Sequence, residues 1–182
     1  MSLMAITHFD KMLLEYISTE EREDLYIDGV STDEISVNSL IDISKACIQS
    51  IKDKPKDDLI SFIINVISVF GEPTFIRHCD ECGDNVYDYT LKVFNKYEAI
   101  YTEGCVCYGL RINGEDCENP NITQNDLWEF LCEACNHICD EKQKIVCLLI
   151  DFMNNFGIFD EKLFNENIAQ NTYSEKYIYE IK

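Results

Sequence analysis

The chain has 182 residues, with 46% hydrophobic side chains and a net charge of -19 from fifteen basic and thirty-four acidic residues. That length and composition fit one globular domain with its own core and argue against disorder. So negative a surface repels phosphate backbones and anionic lipid, which argues against nucleic acid and membranes as partners; it either favours a basic protein or simply keeps the chain soluble.

Met1 to Leu3, ahead of a second methionine, read as an expression leader, which leaves residues 4–182 as a single α+β domain. No basic residue precedes an apolar run at the start, as a signal peptide would require. The longest apolar stretch, Leu59 to Phe70, is too short to span a bilayer. A cytoplasmic location is therefore expected. In that compartment the ten cysteines stay thiols, and each is a small core residue, a metal ligand or a reactive group.

In chain order, Phe9, Met12, Leu13, Tyr16 and Ile17 recur at three- and four-residue spacing after Thr7, with Asp10 completing a cap, and predict a first helix. Glu20 to Glu34 holds seven carboxylates against Arg22 alone and reads as an irregular acidic loop containing Asp28-Gly29. Ser31 with Glu34 has the form of a capping box before a second helix, whose stripe runs Val37, Leu40, Ile41, Ser44, Cys47, Ile48 and Ile51. Pro55, Asp57 and Asp58 open a third helix that Gly71 ends. It is apolar nearly all round and is expected to be the central buried helix.

Beyond Pro73 the period changes to two. Tyr87, Tyr89, Leu91 and Val93 alternate with Asp88, Thr90 and Lys92, as in a half-buried strand. Short strands at Thr74–Cys79, Tyr97–Thr102 and Cys105–Ile112, the last ended by Asn113-Gly114, complete a central antiparallel β-meander. Helical spacing resumes at Thr123 and continues to Gly157, which predicts one long C-terminal helix. Asp160 caps a short final helix, and the tail from Tyr173 to Ile181 alternates as an edge strand would. The expected fold class is thus α+β: a helical N-terminal part, a central meander, a long C-terminal helix and an added edge strand.

His78-Cys79-Asp80-Glu81-Cys82-Gly83 is the sharpest local signal. Cys-x-x-Cys-Gly suits a zinc knuckle, because a tight turn brings both thiolates to one point and glycine relieves the backbone there. A second pair is needed. Cys105 and Cys107 follow after 22 intervening residues, and Cys132 and Cys135 after 49. In a strand through Ile112, Val106, Tyr108, Leu110 and Ile112 would share the apolar face, throwing Cys105 and Cys107 together onto the other. The candidate zinc ligands are therefore Cys79, Cys82, Cys105 and Cys107, a spacing near the ribbon type, with His78 as a substitute. Asp80, Glu81 and Asp84 add unfavourable negative charge to such a site. The competing reading is a glycine-turn hairpin whose cysteines simply pack under a helix.

Cys47, Cys132, Cys135, Cys139 and Cys147 sit on apolar stripes and are expected in the core. His137 is expected at the surface. Cys117, between Asp116 and Glu118, should have a raised pKa from nearby carboxylates and be unreactive. There is no Gly-rich phosphate loop, His-Glu-x-x-His or nucleophile elbow. Cys79-x-x-Cys82 precedes a turn rather than opening a helix, unlike a thioredoxin motif. Enzyme activity is not expected. The leading expectation is a non-catalytic acidic protein that neutralises or masks a basic protein partner, as immunity proteins and inhibitors do. The alternative is a zinc-stabilised structural or regulatory module.

Overall fold

The computed structural model describes residues 3–9, 11–18, 23–105 and 108–170. They form two antiparallel sheets and five helices, in two compact units: residues 1–42 with 142–182, and residues 43–141. Among the described residues, no helix is long and apolar enough to cross a membrane.

The first unit begins with strands, not with the expected helix. β1 (Leu3–Phe9) and β2 (Met12–Ser18) pair as a hairpin with Phe9 opposite Met12. β3 (Glu23–Ile27) and β4 (Val30–Ser31) follow inside the stretch read as an acidic loop. The pattern fails because exposure does not alternate along either strand. Ala5, Ile6 and Thr7 of β1 are consecutive and all nearly inaccessible, whereas β2 is half-buried along its length with only Leu14 inaccessible. A strand whose two faces are equally covered shows no apolar/polar alternation, so its apolar residues can fall at helical spacing by chance. Asp10, expected as that helix's cap, lies outside the described residues. Asp28 and Gly29 have φ of 50° and 81°, the two left-handed positions of a two-residue hairpin turn between Ile27 and Val30.

α1 (Val37–Ser50) is where the chain leaves the first unit for the second. Its cap is Ser36, whose hydroxyl accepts from the Ser39 amide at 3.2 Å. Ser31, expected in that role, instead accepts from the Asp33 amide in a turn one step earlier. Cys47 is buried in the helix stripe as expected.

The second unit carries α2 (Lys56–Phe70), preceded by Pro55 and ended at Gly71. It is not buried all round. Leu59, Phe62, Ile63, Val66 and Ile67 are inside, whereas Val69 is 52% exposed. Five strands then follow: β5 (Glu72–His78), β6 (Asn85–Val93), β7 (Tyr97–Glu103), β8 (Gly109–Ile112) and β9 (Glu115–Asp116), paired in chain order as the expected meander. Its third main strand starts only at Gly109, so strand alternation does not reach Cys105, which sits in a bend. Asn113 and Gly114, with φ of 51° and 82°, make the β8–β9 turn.

The expected long C-terminal helix is two helices. α3 (Gln124–Ile138) starts at a capping box in which Thr123 and Asp126 bond each other's backbone amides. It stops at Cys139, and α4 (Lys142–Phe156) begins three residues later in the first unit. No glycine or proline announces this break. A two-residue strand, β10 (Ile158–Phe159), then pairs with β1 and completes the first sheet in the order β10-β1-β2-β3-β4. Asp160 caps α5 (Glu161–Gln170) as expected, accepting from the Leu163 amide at 2.9 Å. The tail expected as an edge strand lies outside the described residues.

Candidate metal centre

The loop between β5 and β6 is shaped by its own backbone. The Cys79 amide donates to the Asp84 carbonyl at 2.7 Å, and the Gly83 amide donates to the Cys79 carbonyl at 2.9 Å. Gly83 has φ of 80°, where a Cβ would be strained. The turn brings the backbone amides of Glu81 and Cys82 onto the Cys79 sulfur. Amides converging on sulfur are what a bound thiolate requires.

Pairing of β6 with β7 then places Cys105, two residues past the end of β7, beside this loop. Its Sγ lies 2.8 Å from Cys82 Sγ and 3.0 Å from Cys79 Sγ. All three sulfurs lie within 4.8 Å of one another, close enough to bind a metal ion. Sulfurs sharing a tetrahedral zinc at about 2.3 Å each stand roughly 3.8 Å apart, so the Cys105 sulfur would draw back by roughly 1 Å from its two neighbours to admit an ion. Cys79 is 4% exposed, whereas Cys82 and Cys105 are open to solvent. Cys107 lies outside the described residues.

The charges in the cluster are coupled. The Cys105 thiol and the two backbone amides donate to Cys79 and lower its pKa from 9.0 to about 7. Donation to Cys82 and Cys79 raises Cys105 to about 12. One thiolate is therefore easily formed, and its charge opposes the next. A divalent cation would replace the shared protons and remove that opposition. The acidic neighbours are partly engaged: Asp84 Oδ2 accepts from the Cys82 thiol at 3.2 Å, and Asp80 lies 3.6 Å from the Arg77 guanidinium. The contact to Asp84 was missed in the sequence, where the residue counted only as unfavourable charge.

His78, the substitute ligand, is not part of this group; its ring packs edge-on against Phe75 at 5.2 Å. Nor does the other pair join. Cys135 is buried and its sulfur lies 3.7 Å from that of Cys139, its neighbour one turn on. Cys132 and Cys147 are only half-buried, against the expectation of core. His137 is half-buried against Phe94. Cys117 is fully buried and raised to about 11, first by desolvation and only then by Asp116. The nine described cysteines are thiols and not disulfides.

No protein-family model matches this chain, and no similar curated protein or solved structure was found.

Proposed function

We propose that this protein is a non-catalytic module in which one zinc ion ties the β5–β6 loop to the connection between β7 and β8. The observation that carries this reading is the convergence of the Cys79, Cys82 and Cys105 sulfurs from two separate loops. Thiolates select soft or borderline ions, and a closed set of four is the usual structural zinc site. Cys107 is the fourth ligand in this reading. It is two residues from Cys105, and two residues of chain span at most about 7 Å. The amides on Cys79 offset part of the negative charge that Asp80, Glu81 and Asp84 add. Protein purified without chelator should contain about one zinc per chain by elemental analysis. A content far below that removes the reading.

A second reading rests on the net charge of -19: the protein binds and masks a basic protein partner. Opposite charge speeds encounter and orients the pair. Affinity capture from native lysate, washed with rising salt, should release a basic protein at the higher salt steps. If only neutral or acidic proteins are retained, this reading fails. The two readings are compatible, since the metal would hold the scaffold and the charge would choose the partner.

A further inference from the structure

Burial along one face of the β6–β7 sheet falls from one end to the other. Residues directly opposite each other share a face, so Leu91 with Ala99 and Val93 with Tyr97 belong to the same face as Tyr89 with Tyr101 and Tyr87 with Glu103. At one end of this face, α2 and α3 pack on the strands. There Leu91, Val93 and Ala99 are buried, and Tyr97 meets Phe130 edge-on at 5.5 Å. Toward the other end the face continues as half-buried aromatic rings, those of Tyr87, Tyr89 and Tyr101. Tyr89 and Tyr101 stack at 6.4 Å between centroids and 26° between planes. Tyr87 meets Phe75 at 6.0 Å, and Phe75 is 49% exposed. Glu103 is exposed beside them and hydrogen-bonds the Tyr89 hydroxyl, which raises that phenol's pKa.

We propose that the Tyr87–Tyr89–Tyr101–Glu103 surface, flanked by Phe75, binds arginine or lysine side chains of a basic polypeptide. The proposal rests on the basic-partner reading and locates it. Electron-rich ring faces attract cations within about 6 Å of the centroid, and a guanidinium also stacks flat on a ring. A carboxylate next to the rings adds a hydrogen-bonding partner of opposite charge. Two of the sheet's cations face away from this surface, and Arg77 of β5 lies 3.6 Å from Asp80. Arg111 and Lys92 lie on the opposite face, paired with Asp88 at 3.7 Å and Glu98 at 3.8 Å. The aromatic face thus has a carboxylate and no cation among Phe75, Tyr87, Tyr89, Tyr101 and Glu103, on a chain of net charge -19. A nucleic acid would also stack on tyrosines, but it would bring phosphates to a surface that repels them.

The test uses the full chain and an octa-arginine peptide at about 0.15 M salt, where distant charges are largely screened. Wild-type protein should bind the peptide, read by calorimetry or tyrosine fluorescence. Combined Tyr89→Leu and Tyr101→Leu substitution should weaken binding roughly tenfold, whereas Tyr→Phe at both positions, which keeps the ring faces, should stay within about twofold. Glu103→Gln should weaken it about threefold, and it decides alone if circular dichroism shows the leucine variant unfolded. A folded leucine variant that binds like wild type overturns the platform while leaving the basic-partner reading intact. No binding by wild type overturns both. Binding of a neutral oligosaccharide that is lost on the leucine substitutions, with octa-arginine unaffected, assigns the rings to sugar and also overturns the proposal.

Discussion

Each unit contains a five-stranded antiparallel sheet, but the two sheets meet solvent differently. In the first unit β1 has three consecutive inaccessible residues, Ala5, Ile6 and Thr7, and both α4 and α5 contact it. In the second unit the β6–β7 face is buried at one end and half-buried at the other, and its connecting loops present sulfur to solvent. The groups under strain differ accordingly. In the first unit the unusual group is Asp151 on α4, which has one buried carboxylate oxygen without a hydrogen-bond partner and a pKa raised by desolvation to about 7. In the second it is a set of thiols held together at the edge of the fold. A half-buried carboxylate with one inaccessible oxygen responds to protons; a cluster of sulfurs responds to metal. The contrast assigns metal sensitivity to the second unit alone, whereas protons act on both, through Asp151 and through Cys79.

The largest expected effect comes from removing metal. Structural zinc contributes on the order of 10 kcal/mol in small modules. Chelation, or Cys79→Ser with Cys82→Ser, should sharply lower the thermal midpoint and strip hydrogen-exchange protection from β5 to β8. Protection in β1 to β3 should survive. Equal loss in both units would erase the distinction drawn between them.

Asp151 tests the other half. Its folded pKa lies above the ordinary value of 3.8, so between about pH 4 and pH 7 the native state holds a proton that the unfolded chain has lost. Stability is then fully present below pH 4, falls as pH rises through about 7, and levels off above that. Asp151→Asn should remove this slope and stabilise the protein at pH 8 by roughly 1–2 kcal/mol, a figure discounted for partial solvent screening. At pH 4 it should change little. Denaturant titrations at both pH values measure it, and parallel profiles for variant and wild type would show that Asp151 carries no such charge cost.

The smallest effect should come from the other cysteine pair. Cys135→Ala removes a buried sulfur from α3 and should cost about 1 kcal/mol, with zinc content unchanged. A loss of metal on this substitution would mean that the helical cysteines belong to the site, and the contrast between packed and ligating thiols would collapse.

The parts legible in the sequence were those encoded locally. Cys79-x-x-Cys82-Gly83 announces its turn because the left-handed residue and both sulfurs lie within five positions. The meander was legible because β6 alternates between a covered face and a polar one. β1 and β2 were not, since a strand whose two faces are equally covered loses that alternation. The division between α3 and α4 was hidden because the apolar spacing runs on through Cys139 and Ile145 without glycine or proline. Tyr87 and Tyr89 share their alternation with Leu91 and Val93, so they read as core. In the structure both are half-buried.

By itself, the sequence determined the charge, the supply of thiols and the local turns, because each depends on residue identity or on neighbours a few positions apart. It also specified the α+β character of the chain. The tertiary structure alone decided that Cys105 meets Cys79 and Cys82, that Cys135 meets Cys139 instead, and where burial along the second sheet falls off. Those outcomes depend on strand pairing and helix packing between distant segments, and no local pattern of residue types encodes a distance across space.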